Sequence, residues 1–286
     1  MSVRLIVDST ADIPAQLKEK FTIVPLTVRF GETEYLDGVT IQYQEFYEKL
    51  VESDTLPTTS QVPPDDFSKI FDQVVQAGDE AVVLTISSEL SGTYQSACIA
   101  AMDHPGKIFV VDSRTVAIGS AILAEYALQL RDQGMEAQAL AETLTRARER
   151  VQLVALLDTL EYLKKGGRIS KTAALAGSML SIKPVLGLKD GDGTIQVLGK
   201  ARGSKQGQNL LVKQIGEAGG VDFEMPLLLG YSGLSDALLQ KYMKDSAPLW
   251  QDHRESLPYT CVGSVIGTHA GPGAVAVAFF AKHANP

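Results

Sequence analysis

The sequence predicts an α/β protein of two domains, and three observations carry the prediction. Short apolar runs at residues 3–7, 82–86 and 108–111 each end in a polar loop and give way to a longer stretch. Alternation of short β-rich runs with helical patterns marks parallel βαβ units. The chain has 286 residues, 45% hydrophobic and 21% charged, which is ample for two ordinary cores. Past residue 150 the apolar runs include a hairpin, so a mixed sheet is expected there. The expected division is an N-terminal parallel-sheet domain over 1–150, with a small β insertion at about 22–56, and a C-terminal α/β domain over 151–286.

The elements follow in order. VRLIV (3–7) reads as a strand, and Asp8-Ser9-Thr10 behind it suits the N-cap of a helix. Residues 22–41 read as short strands with turns at Gly31-Glu32 and Asp37-Gly38, a small antiparallel insertion. LPTTSQVPP (56–64) reads as an extended loop bounded by prolines. Val82 to Ile86 is a buried strand that empties into Ser87, Ser88, Ser91, Gly92 and Thr93, and a helical pattern starts at Tyr94. The strand at 108–111 ends in Asp112-Ser113, echoing Asp8-Ser9. Residues 116–150 are helical by period, with a break near Gly134. Next come a strand (152–157), a helix in LDTLEYLKKGG, and a helix ending near Lys183-Pro184. A hairpin over 185–198 turns at Asp190-Gly-Asp-Gly193, and a long helix covers about 204–218. Strands are expected at 227–229, 262–267 and 274–280.

Composition excludes several functions. A net charge of −8 lacks the basic footprint that nucleic-acid binding needs. Cys98 and Cys261 lie far apart and form no CxxC, which fits a reduced, cytoplasmic setting. MSVRLIVDST reaches an acidic residue within eight positions and is not read as a signal peptide. No run of ~18 apolar residues exists, so no membrane insertion is expected.

Five stretches are candidate sites, each with a plainer reading beside it. The strand–loop–helix at 82–97 places hydroxyls at a helix N-terminus, where free amides and the helix dipole attract an anion. It has no lysine and is no P-loop. Gly92, after Ser91, would let a ligand approach the backbone, although N-capping by Ser91 or Ser88 explains the same residues. Thr58-Thr59-Ser60-Gln61, stiffened by prolines, presents hydroxyls or simply forms a Ser/Thr turn. Gly267 to Ala274, GTHAGPGA, puts His269 in a glycine-rich turn between two apolar strands, where function and structure are equally good readings. His104, His253 and His283 read as solvated surface residues. Gly271, Gly273 and Ala276 loosely match a dinucleotide fingerprint, but a strand follows rather than a helix, and the reading is rejected.

KKGGRIS (164–170) reads as a capping glycine pair, with Ser170 capping the next helix. Arg168 is left over, free to pair with an anion or to brace the site loops. Gly230-Tyr231-Ser232-Gly233-Leu234 almost makes the GxSxG nucleophile elbow. With Asp252 and His269 it gives the alternative of a serine hydrolase or acyl-transfer enzyme. Asp190 and Asp192 suit the hairpin turn better than a metal, and no cofactor or metal site is expected.

Taken together, IVDSTADIP (6–14), PLTVRFGETEYLDG (25–38), PTTSQ (57–61), ISSELSGTYQSA (86–97), VVDS (110–113), LDTLEYLKKGGRIS (157–170), LSIKPVL (180–186) and GTHAGPGA (267–274) resemble the DegV family of bacterial fatty-acid-binding proteins. The resemblance runs over nearly the whole chain. It implies a two-domain α/β fold, no catalysis by the chain itself, and one long-chain fatty acid in a tunnel between the domains. It implies that the carboxylate meets Thr59, with Ser60 beside it, and Ser91, with Gly92 beside it. It gives His269 and Arg168 a supporting role at the head group or in its phosphorylation. Family members present the acid to an ATP-binding fatty acid kinase, so such a partner is implied. The chain departs from the family pattern at Val62, where proline is usual, in GYSG (230–233), and in the thin basic stretch of Arg202 and Lys205.

Overall fold

The computed structural model describes residues 2–169, 182–188, 191–250, 253 and 257–282. The first part of the chain carries strands β1 (Val3–Asp8), β2 (Thr22–Val24), β3 (Thr27–Phe30), β4 (Thr33–Leu36), β5 (Thr58–Ser60), β6 (Glu80–Thr85) and β7 (Ile108–Asp112). Its helices are α1 (Tyr43–Glu52), α2 (Pro64–Gln76), α3 (Thr93–Ala101), α4 (Ile118–Asp132) and α5 (Ala137–Ala147). The second part carries β8 (Val151–Leu156), β9 (Ile182–Leu188), β10 (Ile195–Arg202), β11 (Leu227–Tyr231), β12 (Tyr259–Cys261) and β13 (Val275–Phe280). Its described helices are α6 (Glu161–Lys165), α7 (Gly203–Glu217), α8 (Ala237–Asp245), α9 (Ala247–Trp250) and α10 (Ser264–Ala270).

The fold is mixed α/β, with a parallel-sheet N-terminal domain and a mixed-sheet C-terminal domain. The N-terminal sheet runs β2-β1-β6-β7 and is parallel throughout. Its strand β6 is buried along nearly its whole length, as a parallel strand covered on both faces must be. Helix α2 shows why its face is buried: Phe67, Phe71 and Val74 recur at helical spacing, Pro64 opens the helix, and Asp65 and Asp66 sit in the first turn. The C-terminal sheet runs β10-β9-β8-β13-β11-β12, antiparallel except for the last pair. Helix α4 lies between the sheets. Its Ile118, Ile122 and Leu123 share one core with Leu5, Val82 and Leu84 of the first sheet and Leu228, Ala278 and Phe280 of the second.

Four local expectations are corrected. Asp8 does accept a hydrogen bond from the Thr10 amide at 3.0 Å, but only a 3-10 turn follows, Ser9–Ala11. Asp12 adopts φ 48° and ends it, and Pro14 is two residues on. Strand β2 pairs with β1 in the parallel sheet instead of joining the insertion. The 56–64 loop contains strand β5, which pairs with β3 in a three-stranded sheet of order β4-β3-β5, Val28 opposite Thr59. The strand expected at 262–267 and the turn expected to hold His269 give way to α10, which covers Ser264–Ala270. An apolar run this short has no distinguishing period, and side chains distant in sequence hold its first amides. The helix expected to end near Lys183-Pro184 falls on residues 170–181, outside the described residues, and β9 already includes Lys183 and Pro184. The hairpin, the long helix at 203–217 and the break at Gly134 fall where expected.

Candidate functional site

A cavity of about 1040 Å³, counting its open mouth, lies between the inner face of the C-terminal sheet and loops of the N-terminal half. Its floor follows from strand alternation. Leu153, Ala155 and Leu157 from β8 and its end point one way, and Ala274 and Ala276 line the cavity beside them. Register puts Gly230, Ala276, Ala155 and Leu186 side by side on four neighbouring strands. Leu188 and Ile195 close the hairpin side, and Ile86, Leu90, Val116 and Ala117 form the facing wall.

A few polar groups interrupt this apolar wall. Thr59 Oγ1 lies 2.9 Å from His269 Nε2. Thr59 reaches that place because β5 pairs with β3, and His269 because it occupies the last turn of α10. The His269 ring lies against Gly166, where a Cβ would approach Cε1 to 2.8 Å. Burial, with the nearby Arg168 charge, lowers the His269 pKa to about 4, so the imidazole is neutral at ordinary pH. Its Nδ1 is buried without a hydrogen-bond partner among the described residues. Arg168 donates to the Gly166 carbonyl at 2.6 Å and to the Leu90 carbonyl at 3.4 Å. It therefore braces two site loops and faces no carboxylate in an ion pair among the described residues.

Of the expected site residues, Thr59, Ser60, Ser91, Arg168 and His269 all line the cavity. Ser60 is exposed at its rim. Ser91 Oγ accepts from the Thr93 amide at 3.2 Å and lies 2.9 Å from Thr93 Oγ1, so the capping reading also holds. Gly92 does not line the cavity. A Cβ there would collide with the Gln61 side chain, so the glycine makes room for Gln61 rather than for a ligand. Gln61 in turn donates to Ser96 Oγ at 3.0 Å and ties the β5 strand to α3.

The hydrolase constellation is not assembled. Ser232 Oγ donates to the Gly271 carbonyl at 2.6 Å and accepts from the Ala274 amide at 2.8 Å, pinning two turns together. His269 is engaged with Thr59 instead, and Asp252 lies outside the described residues. The other histidines differ from the surface reading in detail: His104 pairs with Asp72 at 2.9 Å and His253 stacks on Phe223, while His283 lies outside the described residues. Asp192 serves the hairpin turn, accepting from the Thr194 amide at 2.8 Å. Asp190 and Ser170 lie outside the described residues. Cys98 and Cys261 are free thiols, and burial pushes Cys261 up to about 12. Among the described residues no helix is long and apolar enough to cross a membrane, and no group of three His, Cys, Asp or Glu could hold a metal.

Most of the apolar lining escapes sequence reasoning. The lining from β8, β11 and β13 has the same alternation as core residues and carries no signal of its own.

Comparison with known proteins shows the family. A sequence model described as "Uncharacterised protein, DegV family" matches residues 2–282. A DegV domain-containing protein from Caldanaerobacter subterraneus subsp. tengcongensis is 32% identical over 285 residues, covering 98% of this chain and 99% of that protein. A fatty-acid-binding DegV family protein from Thermus thermophilus superposes with a TM-score of 0.84 at 30% identity, covering 98% of this chain and 100% of that one. A stearic-acid-binding protein from Eubacterium ventriosum superposes with a TM-score of 0.85 at 27% identity, covering 99% of each. This chain belongs to the DegV family.

Proposed function

We propose that this protein binds one long-chain fatty acid, its carboxylate at Thr59, Ser91 and His269 and its tail along the apolar cavity. The observation that carries this is a mostly apolar cavity whose lining includes the Thr59–His269 pair, with Ser91 and Arg168 also in its wall. Solved relatives that bind fatty acids support the same reading.

The energetics agree. A sixteen-carbon tail removes about fourteen methylenes from water, roughly 11 kcal/mol at ~0.8 kcal/mol each, before ordering costs. The tail supplies affinity, and the polar end sets direction and selects an acid over an ester or alcohol. Hydroxyls and a neutral imidazole hold a carboxylate without a buried ion pair, and the Arg168 guanidinium adds nearby positive charge. The residues needed come from both halves of the chain, and we place the division between domains at 150, with the tunnel between them. We further propose a cytoplasmic carrier without turnover of its own, which presents the acid to an ATP-binding fatty acid kinase for acyl-phosphate formation.

Native mass spectrometry on protein purified without added lipid tests the binding. One long-chain acyl mass per chain is expected, with uptake of one equivalent by delipidated protein. No bound acyl mass together with no uptake would overturn the proposal.

A further inference from the structure

Helix α10 carries His269 but belongs to the C-terminal half, whereas Thr59 belongs to the N-terminal half. Something must fix the helix against the opposite half for the two side chains to meet. Four points along α10 do so. The Gly263 amide donates to Asp12 Oδ1 at 2.7 Å, and the Ser264 amide donates to Asp37 Oδ1 at 2.9 Å. Gly267 rides on the α1 aromatics, where a Cβ would lie 2.6 Å from Phe46 and 2.7 Å from the Tyr47 hydroxyl. His269 meets Thr59.

The two carboxyls are unusual partners. Asp12 and Asp37 come from separate segments of the N-terminal half, and they are only 8% and 5% exposed. The second oxygen of Asp12, Oδ2, is buried without a hydrogen-bond partner among the described residues. No arginine or lysine forms an ion pair with either one among the described residues. Two acids buried side by side are costly, and a helix of seven residues could be capped far more simply by a serine or threonine at the N-cap position, where this chain has Gly263. What two distant acids supply that a local cap cannot is a link between the halves. They take the amide of the residue that precedes α10 and that of its first residue from across the interface. A seven-residue helix is about 10 Å long, so a tilt at this end carries directly to His269.

We propose that Asp12 and Asp37 are positioning residues for the carboxylate clamp, acting through the N-terminal end of α10 to hold His269 against Thr59. This rests on the fatty-acid reading only for its consequence in binding; the placement of His269 is a separate claim. Burial pushes both carboxyls above the ordinary carboxylate range, and the Asp37 charge adds to the effect at Asp12. An amide is therefore a fair substitute for the Asp12 side chain, because it keeps an acceptor for the Gly263 amide.

The test compares Asp12→Ala, Asp12→Asn and Ser264→Pro in the full chain. Ser264 is the first residue of α10 and Gly263 before it is extended, so proline is compatible there; it deletes the N–H given to Asp37 together with the Ser264 hydroxyl. The readouts are the His269 ring resonances in a ¹H–¹⁵N spectrum and displacement of a fluorescent fatty acid. Asp12→Ala and Ser264→Pro should shift the His269 ring resonances and weaken binding about tenfold, and Asp12→Asn should restore both toward wild type. Unmoved His269 resonances in the folded Ser264→Pro protein would overturn the proposal, as would an Asp12→Asn protein as defective as Asp12→Ala. A wild-type protein that binds no fatty acid defeats the reading of function instead, and the His269 spectra still decide the positioning claim.

Discussion

Lowering the pH from about 7 to about 4 should cost this protein roughly 3 kcal/mol of folding stability through His269 alone. The imidazole has an ordinary value of 6.5 in the unfolded chain, and burial with the Arg168 charge lowers it to about 4 in the folded one. Between those values the unfolded chain binds a proton that the folded chain refuses. Stability therefore falls as pH drops through this window, and at 1.36 kcal/mol per pH unit the gap amounts to roughly 3 kcal/mol. Asp8, Asp12 and Asp37 act in the opposite sense. Burial raises their carboxyls, so the folded chain holds their protons more tightly and gains stability as pH falls. The His269 contribution must accordingly be isolated by difference. His269→Gln keeps a polar group beside Thr59 and removes the titration. Urea unfolding of both proteins at steps across the window should show the advantage of wild type shrinking by about 3 kcal/mol toward acid pH. A ring titration followed by NMR should place the midpoint near 4. A midpoint near 6.5, or a constant difference between the two proteins across the window, would refute the reasoning.

Two further substitutions probe the same site from its supports. Gly166→Ala suits the local helical backbone, φ −73°, and gains up to about 1 kcal/mol of helix propensity, yet its Cβ drives into the His269 ring. Fatty-acid affinity should fall about tenfold with little change in melting temperature, measured by displacement of a fluorescent fatty acid and a thermal scan; unchanged affinity would contradict the packing described. Ser232→Ala leaves the Ala274 amide and Gly271 carbonyl unpaired and should cost about 1–3 kcal/mol in urea unfolding. Hydrolysis of a short acyl ester should be unchanged by it, whereas an activity abolished by this substitution would revive the hydrolase alternative.

Much of the architecture was legible because local chemistry carries it. The apolar runs at 82–86 and 108–111 are short, rich in valine and isoleucine and closed by polar loops, which favours strands, and Gly134 could break a helix wherever the rest of the chain lay. The hairpin at 182–202 announced itself by its Asp-Gly turn, and Asp192 fulfils that role. Residues 262–267 were misread because a short apolar run fits strand and helix alike. The amides at the start of their helix are held by Asp12 and Asp37, more than two hundred residues away in sequence. Gly92 was read as clearance for a ligand, but the atom that needs the clearance belongs to Gln61. Both errors have one cause: the deciding neighbour is distant in sequence.

The sequence by itself determined the alternation of elements, the family, and which polar residues to suspect, because motif and periodicity are local properties of the chain. It could single out Thr59 and His269 but not join them. Only the tertiary structure decided that β5 and α10, 210 residues apart at these two side chains, would meet at 2.9 Å. It alone decided that Gly230, Ala276, Ala155 and Leu186 would line up on four strands to floor a cavity. The physical reason is that a cavity wall and a core face are built from the same alternating apolar residues. What separates them is whether the opposite layer packs down onto them or stands away.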